Sequence, residues 1–548
     1  MYSRIAVMCL SLLLMAPLAK AQPLPKAGPR SFKSDDAFLD YVERQTFHYF
    51  WEEANPTNGL IRDRSTEDSP CSVAAVGFGL SAINIAVEHG WIGRTDGAER
   101  TLRTMETLWT SPQGASASGC AGYHGWFYHF LDMNTGTRAP GSELSSMDTA
   151  LLMMGVIDAG QFFTNPTNHT EAQVRRLSAD LVERIDWPFM LQSNDHLVDM
   201  EWKPESGYGP ARWVGYNEGS CLYLLALGGT ANALPFSLWD GWTRGYRWGD
   251  CYGQSLLPEP TLFTHQYSQV WIDFRGIADT CMRKRNSGYF ENTRLATLTQ
   301  RQYAILNPLH FPNYGSNEWG FTACDGPQTT IDGVRYAGYL ARGAPAGIDD
   351  GTIAPTAAAS SLPFTPEACL SVLRHLYDTY GTNLWTTEGF RDAYNIRAHW
   401  FARDLLGIDQ GPMVVMLENY RTGSTWSRMM SSPTIQRGLE RAGFTAPPPD
   451  RLAATQMGAG RVELSWHDKS PYKTGFRIES STNNKDFELA AEVGADATRV
   501  SLPASPGETH YFRVRTLSPA GLSGYRETVS LSLASFDSQK TPGALAKK

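Results

Sequence analysis

A change of hydrophobic period at residues 446–449 constrains this chain more than any other feature. Before it, from Ser34 to Phe444, apolar residues recur at helical spacing. Phe38, Val42, Tyr49 and Phe50 form one face; Leu144, Met147, Leu151, Met154 and Ile157 form a second; Leu370, Leu373, Leu376 and Tyr380 form a third. The third has its own punctuation, with Thr365 as cap, Pro366 in the first turn and Gly381 as stop. After the change, Val462-Glu463-Leu464-Ser465-Trp466, Gly475-Phe476-Arg477-Ile478 and Tyr511-Phe512-Arg513-Val514-Arg515 alternate with period two. A stripe that repeats every 3.6 residues cannot be buried as a strand, nor an alternating one as a helix. Two modules are therefore required: a mainly α domain over 34–445 and a small all-β sandwich over 451–534. The triple proline in Ala446-Pro447-Pro448-Pro449 reads as a stiff linker, 446–450. A length of 548 residues agrees, because a single core stops growing at about 250–300.

Hydrophobic residues at 42% and charged residues at 19% exclude a disordered chain. The net charge of -8 offers no positive field for a phosphate backbone, which excludes nucleic acid as the default partner. Residues 1–21 carry Arg4, an apolar run broken by Ser11 and Pro17, and the small-x-small triplet Ala19-Lys20-Ala21. They read as a signal peptide, so export to the periplasm or beyond is expected. No later segment is apolar enough to span a bilayer, and residues 535–548 read as a disordered tail. Besides Cys9 there are seven cysteines, without the spacing of a zinc site. One or two disulfides fit an oxidising compartment, with no pairing readable.

The chain lacks a Walker loop, a GxSxG elbow and HExxH. His124 and His129 are the nearest approach to a metal pair, with packing or substrate contact the commoner role. What stands out is acids set among aromatics and glycine: Asp63, Glu143, Asp148, Glu218, Asp273, Asp325, Asp349, Asp350 and Asp409. An acid so placed is poorly solvated, and its pKa rises, as a general acid requires. Each alone is more often a turn former, an ion-pair partner or, as for Asp148, a helix cap. With 16 Trp and 23 Tyr offering flat apolar faces, the set points to a carbohydrate cleft.

The residues that carry a family resemblance run in one order from Phe47 to Phe444. They include Tyr49-Phe50-Trp51, Asn58-Gly59-Leu60, Asp63-Arg64, Tyr128-His129-Phe130-Leu131-Asp132 and Asp148-Thr149-Ala150-Leu151-Leu152. They continue through Gly215-Tyr216-Asn217-Glu218-Gly219, His265-Gln266-Tyr267-Ser268, Trp271-Ile272-Asp273-Phe274-Arg275, Cys324-Asp325-Gly326-Pro327, Asp349-Asp350-Gly351 and Asp409-Gln410-Gly411-Pro412. On these the region resembles the bacterial glucoamylase-like domain of glycoside hydrolase family 144, the endo-β-1,2-glucanases. The resemblance implies an (α/α)6 toroid that hydrolyses β-1,2-glucan with inversion and needs no metal or organic cofactor. It implies Glu218 as general acid and Asp409 as general base, with Asp148, Glu143, Asp63, Tyr216, Trp213, His265, Trp271, Asp273, Asp325 and Tyr420 contacting substrate. The expected partner is a glucan polysaccharide or oligosaccharide; oligomeric state is not readable. Ser220 and Glu388 depart from the family near the cleft, which bears on chain-length preference. The alternatives are another linkage, exo action or transglycosylation on the same scaffold, or a non-catalytic sugar-binding protein. The C-terminal segment resembles a fibronectin type III domain through Trp466 and Pro506-Gly507 leading to Phe512-Arg513-Val514, with His510 where that family has its corner tyrosine.

Overall fold

The computed structural model describes residues 30–533 except 193–195, 231–233, 332, 447, 459, 469, 471–472 and 519–520. The expected signal peptide, the C-terminal tail and Pro447 of the linker lie outside the described residues.

Burial sorts the helices into two rings. Val73–Glu88 buries 14 of its 16 residues and Ser146–Phe162 15 of 17, while all nine of Ser220–Gly228 are buried. A helix apolar on every side must be enclosed by others. These three, with Gly407–Arg421, Pro355–Ala359 and the turn Phe263–Gln266 that continues as a 3-10 turn over Tyr267–Val270, form the inner ring among the described residues. Arg94–Thr110, His169–Glu183 and Pro366–Leu384 bury one stripe only and pack outside it. The result is the expected toroid. Its inner wall is tight: a Cβ on Gly155 would stand 1.9 Å from the Gly77 carbonyl oxygen, so the two helices meet backbone to backbone.

Local signals held unevenly. Ser34 caps Asp35–Glu52, accepting from the Ala37 N–H at 3.1 Å. Ser145, not Asp148, caps Ser146–Phe162; the Asp148 N–H donates to its Oγ at 3.2 Å and its hydroxyl donates back to the Asp148 carboxylate at 2.5 Å. Pro366 opens its helix, but Thr365 turns its hydroxyl to Cys369, and the helix passes Gly381 to end at Leu384. Leu384 is fully buried, and that burial carries the helix through a glycine which tolerates helical angles.

The sandwich has one antiparallel sheet of Asp450–Gln456, Arg461–His467 and Arg499–Pro503. The other holds Glu488–Gly494, Gly475–Ser481 and Thr509–Ser518, whose two ends pair with Gly521–Leu522 and Val529–Ser532. Inward residues Val462, Leu464, Trp466, Phe476, Ile478, Phe512 and Val514 form its core. His510 Nε2 donates to the Ser505 carbonyl at 3.1 Å, the bond a corner tyrosine would make. All seven cysteines are free, so the disulfides that an oxidising compartment allows are absent here. No helix among the described residues is long and apolar enough to cross a membrane.

Candidate active site

Three of the singled-out acids, Asp148, Glu218 and Asp409, lie at the N-terminal ends of inner helices, where unpaired amides and the helix dipole favour negative charge. Asp148 and Asp409 lie in first turns, and Glu218 immediately precedes Gly219, the cap of Ser220–Gly228. Glu218 is half-buried. The Ser268 hydroxyl donates to its backbone carbonyl and accepts from the Cys221 N–H at 3.0 Å. Burial, and then the charges of Glu259 and Asp148, push the Glu218 carboxyl up to about 7.

Asp409 is placed by a defect in its own helix. Pro412 has no N–H, so the Ile408 carbonyl lacks its helical donor, and the Tyr267 hydroxyl donates to it instead at 3.2 Å. The Thr356 hydroxyl donates to the Asp409 carbonyl at 2.8 Å. Gly411 is required by Phe78, since a Cβ there would lie 2.1 Å from the ring. Tyr267 and Ser268, adjacent in sequence, thus tie the turn carrying Asp409 to the backbone of Glu218.

Around Asp409 lie Asp63, Asp325, Asp392 and Asp404, with the Arg64 guanidinium 3.0 Å from Asp325 and 3.5 Å from both Asp63 and Asp404, and Arg391 beside Asp404. The Asp325 N–H donates to Asp392 at 2.6 Å. Burial and the Asp392 charge hold the Asp409 carboxyl well above the usual range, and burial pushes Asp392 to about 7. A cluster so rich in carboxyl oxygens suits donors such as sugar hydroxyls.

A second group is centred on His129, which bonds Glu143 at 2.9 Å and lies 3.5 Å from Asp148. Burial opposes its protonation, but Asp148, Glu143 and Asp63 together hold the imidazolium up to about 9. Burial likewise opposes ionisation of Glu143, and the bond to His129 outweighs it, holding Glu143 below its ordinary range. Trp213 is nearly buried, its indole N–H donating to Ser146 at 2.9 Å. Burial pulls His265 down to about 4, so its imidazole is neutral. Its Nε2 donates to the Glu259 carbonyl at 3.1 Å, which leaves Nδ1 to accept from the Tyr216 hydroxyl at 3.0 Å.

Three expected contacts lie elsewhere. Trp271 is fully buried, stacked 4.8 Å from the Phe78 ring with its N–H on Ser81, and serves the core. Asp273 is sealed and clamped by Arg275 at 2.6 Å. Tyr420 sits at the far end of Gly407–Arg421, roughly 16 Å along the axis from Asp409 at 1.5 Å per residue. Asp349 is taken up by the hydroxyls of Tyr303 and Tyr314, and Asp350 by Arg342. Sequence reasoning missed Asp392, although Gly389-Phe390-Arg391-Asp392 has the same setting of glycine and aromatic used to select the others.

His124 pairs with Asp186 at 2.8 Å, so it and His129 do not converge on a metal. Among the described residues, Glu43, His89 and Glu418 are close enough to share an ion, but His89 and Glu418 are 2.7 Å apart, a hydrogen bond rather than the spread of two ligands.

Comparison with known proteins places the chain in a family. Residues 210–433 match the family described as "Putative glucoamylase". A curated relative from Parabacteroides distasonis, an exo β-1,2-glucooligosaccharide sophorohydrolase (non-reducing end), is 30% identical over 445 residues, 74% of this chain. The chain spans 58% of the length of that relative. A "putative glucoamylase" structure from Bacteroides uniformis is 34% identical, covers 76% of this chain and 99% of its own, and superposes with a TM-score of 0.69. The endo-β-1,2-glucanase from Chitinophaga pinensis, in complex with sophorotriose and glucose, is 28% identical, covers 75% of this chain and 99% of its own, and gives a TM-score of 0.68.

Proposed function

The chain belongs to the glucoamylase-like glycoside hydrolases, and on that premise we propose that it hydrolyses β-1,2-linked glucans or their oligosaccharides with inversion, Glu218 acting as general acid and Asp409 as general base. The observation that carries this reading is the Tyr267-Ser268 tie between a carboxyl pushed up to about 7 and a carboxyl sealed in an acid cluster. Inverting hydrolysis needs one acid that gives a proton to the leaving oxygen and another that takes one from water on the opposite face. Glu143, ionised beside the His129 imidazolium, and Asp148 are acceptors for sugar hydroxyls. Residues 1–21 make this an exported enzyme, and 451–534 a fibronectin type III-like appendage.

We favour exo action, release of a disaccharide from a non-reducing end. It is the activity of the Parabacteroides relative. A further support is the hairpin of Thr329–Ile331 and Val334–Tyr336, which leaves the cluster at Asp325 and returns at Arg342. Arg342 is buried and bonds Asp350, the Cys324 carbonyl and the Gly338 carbonyl, so the protrusion beside the acid cluster is rigid at its base. Endo action is the second reading, favoured by the likeness to the Chitinophaga enzyme. Product profiles on linear β-1,2-glucan beside β-1,3-, β-1,4- and α-1,4-glucans decide. A disaccharide as sole early product supports exo action, and a ladder of oligomers supports endo action. The first product should be the α-anomer by NMR; an initial β-anomer requires a covalent intermediate and removes these roles.

A further inference from the structure

An aromatic ring that nothing packs stands beside the acid cluster, at the base of the hairpin. Ala323–Cys324 pairs antiparallel with Leu340–Ala341, Ala323 opposite Ala341 and Cys324 opposite Leu340. The Gly338 N–H donates to the Gly326 carbonyl at 3.1 Å, so the same register runs on and sets Tyr339 opposite Asp325. Side chains opposite each other on antiparallel strands share a face. For Asp325 that face is the cluster, since its carboxylate lies 3.0 Å from Arg64 and its N–H donates to Asp392 at 2.6 Å. Arg342 fixes the backbone on both sides: it bonds the Gly338 carbonyl at 3.2 Å and Asp350 at 2.9 Å, and it lies so close to Gly326 that a Cβ there would collide with Nη2. Yet Tyr339 is 38% exposed. Among the described residues its ring stacks on no other and its hydroxyl bonds no partner, whereas Tyr303, Tyr314 and Tyr380 all give theirs to buried acids. Desolvation by the surrounding protein, and then the Asp409 charge, hold the phenol well above its ordinary range, so it stays a neutral donor. A side chain enclosed by protein and still open to solvent is one on the floor of a cleft.

We propose that Tyr339 is a substrate-binding residue whose ring stacks on the glucosyl unit held beside the acid cluster. The proposal rests on the reading of that cluster as the base side of a glucan cleft. A pyranose has C–H bonds on its faces and hydroxyls around its rim. A flat ring meets the faces, and acceptors must meet the rim. Both are present within one short stretch of backbone: the Tyr339 ring is free, and the Asp63, Asp325 and Asp404 carboxylates keep 16–18% of their side-chain surface open. Because Arg342 and the strand register hold the backbone of Tyr339, the ring is placed before substrate arrives, and little ordering remains to be done on binding. Sequence reasoning missed Tyr339, since only the pairing with Cys324 brings it to Asp325.

The test uses the full chain and the β-1,2-linked glucose tetrasaccharide. Tyr339→Ala and Tyr339→Phe are placed in the slow Glu218→Gln background, and Kd is read by calorimetry. Tyr339→Ala should raise Kd by about tenfold, and Tyr339→Phe, which keeps the face, should recover most of that loss. The melting temperature of Tyr339→Ala should stay within about 2 °C of its parent, because an exposed side chain without partners is removed. Hydroxyl-radical footprinting supplies a reading without substitution: the tetrasaccharide should protect Tyr339 and leave Tyr420, which is 40% exposed, as reactive as before. An unchanged Kd in Tyr339→Ala overturns the proposal, and so does a Tyr339 that stays unprotected. A fall in melting temperature beyond about 5 °C, or a variant that does not fold, makes the ring a structural contact and also overturns it. The underlying reading fails in a different way: a wild-type enzyme that neither binds the tetrasaccharide nor cleaves β-1,2-glucan removes the glucan cleft itself, whereas cleavage with an indifferent Tyr339 removes the stacking residue alone.

Discussion

At the scale of single residues, the chemistry turns on how little water each carboxyl keeps. Glu218, pushed up to about 7 mainly by burial, holds its proton below that pH and loses it above. A general acid works only while protonated, so kcat should fall as pH rises through about 7, and a rate still rising between pH 7 and 9 would exclude Glu218 from that role. Glu218→Gln keeps the shape and removes the proton, at a cost of about 10²–10⁴-fold in kcat. Substrate binding should persist, because an amide still bonds a hydroxyl; calorimetry with oligosaccharide checks this. Glu218, beside Tyr216 and Gly219, is recognisable in the chain itself as a poorly solvated acid, whereas Asp409 has glycine but no aromatic beside it, and the roles expected of both came from the family resemblance. Asp392 has the same kind of setting, in Gly389-Phe390-Arg391-Asp392, but only the fold brings it into the cluster around Asp409. Trp271 erred in the opposite direction: its type suits a sugar face, and only packing against Phe78 shows that no sugar reaches it.

Among elements, helical spacing predicted Asp35–Glu52, Ser146–Phe162 and Pro366–Leu384 but neither which helices are enclosed nor the stop of Pro366–Leu384, since Leu384 packing outweighs the preference of Gly381. The helix Gly407–Arg421 shows how a local irregularity serves a site. Pro412 deletes one backbone bond, and Tyr267 replaces the donor from another element. Tyr267→Phe leaves the Ile408 carbonyl unpaired and should cost about 1–3 kcal/mol in stability, together with a loss of kcat as the Asp409 turn loosens. Pro412→Ala restores the N–H within the helix, so the double variant should recover the stability that Tyr267→Phe loses. Thermal unfolding and kcat of the three variants check this. A Tyr267→Phe protein as stable as wild type would show that the hydroxyl bond contributes nothing.

For the whole molecule, the change of hydrophobic period marked the two modules, but it placed the end of the helical one without its last contacts. Phe444 packs 5.3 Å from the Trp239 ring, Ala446 is fully buried, and Thr445 exchanges backbone bonds with Ala278 at 3.1 Å in both directions. The helical domain thus uses the chain up to Ala446, and a cut must leave that residue in place. Every residue of the acid cluster, the His129 group and the Tyr267-Ser268 tie precedes this point. A chain ended after Pro449 should fold, keep the melting transition of the toroid and retain kcat/KM within about twofold, because a domain with its own core stands alone. A chain ended before Phe444 should lose stability, through the bared faces of Trp239 and Tyr289 and the unpaired Ala278. The measurement is turnover per folded molecule, with folding followed by circular dichroism. If the chain cut after Pro449 folds and yet loses its activity on long glucans while keeping it on short oligosaccharides, the sandwich holds polymer for the toroid; if it loses both, the sandwich completes the groove and the independence of the two modules is wrong.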